Sequence, residues 1–167
     1  MVLFTHSVVG GALGSLLKSH PVLAFFAGFI SHFILDAFPH WDYTLESGQK
    51  HESGNELKGD FVIDHRFLFD LVKIGTDLLV GAVIVYLFFA DNILDPILFL
   101  QSGMFWGMVG GILPDFLQFA YYKTKREPLT TLQKFHISVH TNVRLKDRYI
   151  IGPLLQIALV LLVLFVF

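Results

Sequence analysis

Residues 31–42 read SHFILDAFPHWD, which places His32, Asp36 and His40 at four-residue intervals and adds Asp42. On a helix, residues four apart lie on one face. Imidazole and carboxylate groups spaced in this way are ligands suited to zinc or a similar divalent ion. A second pair, His136 and His140, falls in EPLTTLQKFHISVHT. One helical turn would bring its two imidazoles to a common point, as in other His-x-x-x-His metal clamps. Pro128 fits just outside the start of that helix, and Thr130 with Gln133 matches a capping box. The glutamate of the metalloprotease signature is missing between the two histidines, which argues against a zincin-type protease. With His6 and with Asp115, which follows Pro114, the expected metal ligands are His6, His32, Asp36, His40, Asp115, His136 and His140. Asp42 and Asp77 are the carboxylates left to serve as general base. Simpler roles compete at each position. His32 and Asp36 could form a buried ion pair, Asp42 could sit with Trp41 and Tyr43 in an aromatic belt, and Asp115 could break a helix with Pro114.

The elements that must position these groups are apolar. Of 167 residues, 54% are hydrophobic and only 16% charged, where a soluble domain usually carries about a quarter. The excess lies in five segments: 2–17, 21–38, 70–90, 96–119 and 149–167. A bilayer core needs about twenty helical residues, so the composition predicts an all-α polytopic membrane helical bundle of about five transmembrane helices. Residues 1–167 would form a single integral membrane domain, with a cytoplasmic loop at 43–69 and a cytoplasmic connection at 120–148 that carries a short amphipathic helix. The first segment lacks a basic flank and a clear cleavage site, so it is expected to be retained. Gly10 and Gly14 in segment one, and Gly103, Gly107 and Gly111 in segment four, form small-residue faces that permit close helix packing. Near-zero net charge gives no sign of a nucleic-acid partner, and the absence of cysteine excludes disulfides and thiolate ligands. Oligomeric state is not legible.

Orientation follows from the cations. Eleven of the twelve basic residues flank the loops after segments two and four, and only Lys18 lies at the other end. The positive-inside rule then places the N-terminus in the cytoplasm. In that topology His6, His32 to Asp42, Asp77, Asp115, His136 and His140 all fall at the cytoplasmic side, although they come from five separate parts of the chain. His20 lies on the opposite side and His51 in a polar loop, and neither is included. Asp64-His65-Arg66, on the correct side, reads either as a reserve base with an anion-binding cation or as a solvated helix start.

The stretches THSVVGGALG, GFISHFILDAFPHWD and GGILPDF resemble the membrane-bound metal-dependent hydrolases of bacteria and archaea, a family distantly similar to zinc-dependent phospholipase C. The resemblance matches His6 to a Thr-His histidine, His32 and Asp36 to a Ser-His-x-x-x-Asp pair, and Asp115 to a Pro-Asp aspartate. It implies a prokaryotic cytoplasmic (inner) membrane location and a hydrolase with one to three ions, zinc or alternatively manganese or iron. The expected reaction is cleavage of a phosphoester of a lipid or membrane-associated substrate by metal-activated water. Arg144, Lys146 and Arg148 could attract an anionic headgroup, or could simply set topology. The rivals are a non-catalytic metal-binding scaffold and a metal or proton transporter. A transporter needs polar groups across the whole membrane, and the outer halves of these segments are nearly all apolar.

Overall fold

A computed structural model describes residues 1–49, 56–90, 94–143, 145 and 148–167. Among them the chain is mostly helical, with seven α-helices: α1 (Leu3–Ser15), α2 (Pro21–Asp36), α3 (His65–Phe89), α4 (Pro96–Gln101), α5 (Gly103–Thr124), α6 (Leu129–Val139) and α7 (Ile151–Val166). The only strands described are two-residue pieces, β1 (Gly48–Gln49) and β2 (Asp60–Phe61), paired antiparallel with Gly48 opposite Phe61.

Local chemistry sets most of the helix starts. Pro21 occupies the first turn of α2, where its missing N–H costs nothing. The Asp64 carboxylate accepts the N–H groups of Arg66 and Phe67 at the start of α3 and also takes the Arg66 guanidinium at 2.7 Å. The Asp64-His65-Arg66 motif therefore begins a helix here. Segment four is two helices, because Ser102 is extended and its hydroxyl caps α5 by accepting the Phe105 N–H. The Gly103 N–H then donates to the Lys18 carbonyl at 2.9 Å, tying this corner to the end of α1. At the other end, α5 runs through Pro114 to Thr124 without breaking. The capping box expected at α6 does not form. Pro128 is the N-cap, and the Glu127 carboxylate takes the Thr131 N–H and hydroxyl at 3.2 and 2.8 Å instead.

Helices α1, α2 and α5 meet backbone to backbone. A Cβ added at Gly107 would strike the carbonyl of Gly10, and one added at Gly28 would strike the carbonyl of Gly107, so only glycine allows three helices to converge there. The apolar core around Val8, Ala12, Val85, Met104 and Met108 continues this interface to α3, and Val160 and Val163 of α7 join it.

Among the described residues one helix, α3, is long and apolar enough to cross a membrane, and α2 and α7 are shorter apolar helices. Only 11% of the most apolar window of α3 is buried within the molecule. Its outer face exposes Leu68, Val72, Leu79, Val83 and Leu87.

Candidate metal centre

The convergence of α1, α2 and α5 sets the positions of the site. Packing at Gly111 brings the His6 backbone against α5, and the His6 and His32 rings stack at 4.0 Å between centroids. Pro114 has no N–H for the carbonyl one turn before it. The neighbouring Gly111 carbonyl accepts from His32 Nδ1 at 2.8 Å. Asp36 ends α2, one turn after His32. His40 lies beyond that helix, after Pro39, yet its ring returns to the cluster because Nδ1 donates to the Phe38 carbonyl at 2.7 Å. Helix α6 delivers His136, and His140 forms its C-cap. Main-chain bonds from Thr141 N–H to the Asp36 carbonyl (2.8 Å) and from Leu145 N–H to the His40 carbonyl (2.9 Å) hold this connection against the end of α2.

The result is a carboxylate ringed by imidazoles. Asp36 Oδ2 lies 3.1 Å from His136 Nε2, 3.2 Å from His32 Nε2 and 4.0 Å from His140 Nε2, while Oδ1 lies 3.2 Å from His6 Nε2 and 3.8 Å from His40 Nε2. His6 and His32 are fully buried, and Asp36, His40 and His136 are 1–3% exposed. Two rim carboxylates are more open. Asp115 is 30% exposed and 3.8 Å from His32 Nε2; Asp42 is 25% exposed and 3.2 Å from His40 Nε2. The Met1 α-ammonium sits between the acids, 2.8 Å from Asp36 and 3.0 Å from Asp42.

The donor set fits a metal. His32, His40 and His140 each place Nδ1 against a backbone carbonyl, at 2.8, 2.7 and 3.2 Å. A carbonyl only accepts, so the proton belongs on Nδ1, and in the neutral ring Nε2 is a bare lone pair. In that tautomer three lone pairs would face a carboxylate, an arrangement that a cation held between them would stabilise. Both nitrogens of His6 and Nε2 of His40 are buried without a hydrogen-bond partner; the His6 Nε2–Asp36 approach is close but misaligned. Pinning Nδ1 to a carbonyl is also how ligating histidines are commonly oriented. Two overlapping groups could each hold an ion: His32, Asp36, Asp115 and His136, with ligand atoms within 4.8 Å of one another, and Asp36, His40 and His140. Asp36 belongs to both.

The protonation of the outer groups agrees with this arrangement. Although burial raises the Asp42 pKa, the close approach of His40 at 3.2 Å and the Met1 ammonium at 3.0 Å hold it below the usual carboxylate range. Burial pushes His140 below the ordinary imidazole value despite nearby Asp36, which keeps it a neutral donor.

Every expected ligand thus lies in or against one cluster. Asp77 does not join it. Its carboxylate accepts the Leu3 N–H at 2.7 Å and the Tyr43 hydroxyl at 3.3 Å, capping the start of α1. Arg148 is exposed at the approach to α7, and Arg144 and Lys146 lie outside the described residues. Two structural groups carry little sequence signal. Buried Asp70 takes the backbone N–H groups of Glu46 and Ser47 and the Ser47 hydroxyl, at 2.7–3.1 Å. Buried Gln156 accepts from Val2 N–H and the Thr5 hydroxyl and donates to the Trp41 carbonyl. A polar residue inside an apolar helix was the one available hint for each. Comparison with known protein families, curated proteins and solved structures gives no match.

Proposed function

We propose that this protein is a membrane-embedded metal-dependent hydrolase, with a His/Asp centre bridged by Asp36, that cleaves a phosphoester of a lipid or membrane-associated substrate. The observation that carries the reading is the gathering of five imidazoles round the buried Asp36 carboxylate, with His32, His40 and His140 each held by Nδ1 on a backbone carbonyl. Membrane embedding is supported by α3, whose apolar residues are left outside the core rather than packed within it. The exposed Phe26, Ile30 and Ile34 of α2 and Leu154, Leu161 and Leu162 of α7 extend that surface. The sequence motifs that resemble the membrane-bound metal-dependent hydrolases, at His6, His32–Asp36 and Asp115, point to the same reading.

When bound, a zinc-like ion would lower the pKa of coordinated water and offset charge on a scissile group. The chain's own residues do the rest. Asp36 holds the two ligand groups together, and the carbonyls of Gly111, Phe38 and Thr141 fix three imidazoles in the ligating tautomer. Asp42, on the rim, accepts a hydrogen bond from the attacking water and orients it; its low pKa keeps it ionised throughout the neutral range. Exposed Arg148 attracts an anionic headgroup towards that side.

Elemental analysis of detergent-purified protein beside a His32→Ala/Asp36→Ala variant, followed by hydrolysis assays on phospholipid substrates, tests the reading. Stoichiometric zinc, manganese or iron that is lost in the variant, with metal-dependent release of a phosphoester product, is the expected result. Absence of metal after reconstitution with divalent ions would sink it. Bound metal without turnover would favour a non-catalytic scaffold.

A further inference from the structure

A groove of about 590 Å³ runs beside the cluster, between α3 and α7 and over the first residues of α1. This volume lies in the ordinary range of ligand pockets, roughly 300–1,000 Å³. Its apolar walls come from Val2 and Phe4 of the α1 end, Val72 and Val80 of α3, and Pro153 and Ile157 of α7. Apart from Thr76 and Trp41, the polar side chains along it have partners within the chain. Tyr43 hydrogen-bonds Asp77, Lys73 pairs with Glu46 at 3.0 Å and Asp70 at 3.5 Å, and Gln156 is committed to Val2, Thr5 and Trp41. With those groups satisfied internally, the groove offers its occupant hydrocarbon contact.

Its position relates it to the chemistry. Trp41 and Tyr43 line one end and flank Asp42, the rim acid that lies 3.2 Å from His40. The groove lies alongside the exposed apolar faces of α3 and α7, including Leu79, Leu154 and Leu161. Resting on the hydrolase reading above, we propose that the groove seats the hydrocarbon chain of a phosphoester amphiphile, admitted sideways between α3 and α7, with the ester at the Asp42 rim.

The test uses binding rather than turnover. The chain has two tryptophans, and Trp106→Phe leaves Trp41 as the only one. Phosphatidic acid brominated in its acyl chains, added to the protein in dodecyl maltoside micelles, is expected to quench Trp41 fluorescence saturably. Unbrominated phosphatidic acid should reverse the quenching. Val80→Phe and Ile157→Phe, which fill the groove, should each weaken the apparent affinity at least tenfold, while Leu161→Phe on the outer face should leave it unchanged. Quenching that never saturates, or that ignores both filling variants, would overturn the proposal. Metal content measured in each preparation monitors folding and separates the two readings. Bound metal without saturable quenching rejects the groove and leaves the hydrolase standing. Saturable, groove-dependent quenching in a protein that takes up no metal keeps the chain site and rejects the hydrolase.

Discussion

Replacing Gly111 with alanine tests whether helix packing and the metal centre are one assembly. A Cβ at position 111 would stand 2.6 Å from the His6 carbonyl oxygen, about 0.8 Å inside ordinary contact at 3.4 Å. The opposing atom is main chain, so no rotamer change relieves the clash and α1 must move relative to α5. Overpacking of this kind costs roughly 1–3 kcal/mol. The chemical effect should be larger than the steric one suggests. The Gly111 carbonyl also orients His32 at 2.8 Å, and metal sites tolerate displacements of only about 0.2 Å. Loss of such an orienting partner typically lowers metal affinity about 10–100-fold. The assay is a chelator-competition titration of zinc, run beside thermal unfolding in detergent. Gly75→Ala in α3 is the control, since nothing lies within 4 Å of a Cβ there. It should leave zinc affinity unchanged and stabilise the helix by about 0.5–1 kcal/mol. Zinc affinity and unfolding of Gly111→Ala equal to wild type would refute the argument.

The membership of Asp36 in both candidate ligand groups predicts unequal losses of metal. Asp36→Asn should empty both ligand groups, whereas His140→Ala should remove only the ion held with Asp36 and His40, so stoichiometry by elemental analysis falls to near zero in the first and by about one ion in the second. Equal losses in the two variants would mean a single ion. Gln156→Leu should orphan the Val2 N–H and the Trp41 carbonyl, each worth about 1–3 kcal/mol when left buried and unpaired, and lower the unfolding midpoint. An unchanged midpoint would show that water reaches both groups.

Much of the candidate site was legible because its spacing is local. The four-residue interval of His32 and Asp36 and the single turn between His136 and His140 follow directly from helix geometry. The glycine faces announced which helices would approach. Of the five chain parts expected to converge, the four that carry His6, His32 to Asp42, Asp115 and His136 with His140 do meet, as the ends of the apolar segments suggested. What escaped depends on contacts distant in sequence. Asp77 reads as an active carboxylate because nothing near it in sequence shows that the α1 start lies 74 residues away in the chain and against it in space. The break at Ser102 is hidden because the residues on both sides are apolar, and the capping side chain and the Gly103–Lys18 bond decide it. His40, displaced from the helix face by Pro39, rejoins the cluster through a hydrogen bond to a carbonyl only two residues back. The Thr130–Gln133 pattern failed because the helix begins at Leu129 with Pro128 as its N-cap, which places Thr130 inside it, and Glu127 takes the Thr131 N–H.

The uneven exposure of the centre has a kinetic consequence. Four of its imidazoles are sealed inside, and the open edge is formed by His140, 17% exposed, and two acids, Asp42 and Asp115. A cation entering the candidate centre would therefore meet negative charge first and would then have to displace the Met1 ammonium that lies 3.0 Å from Asp42 and 2.8 Å from Asp36. Departure is the reverse passage, and an anionic chelator must approach through the same pair of carboxylates. For a loaded centre the acids would act as a turnstile, favouring cations on entry and slowing their exit, so the lifetime of the bound ion would depend on the doorway as well as on the strength of the ligands.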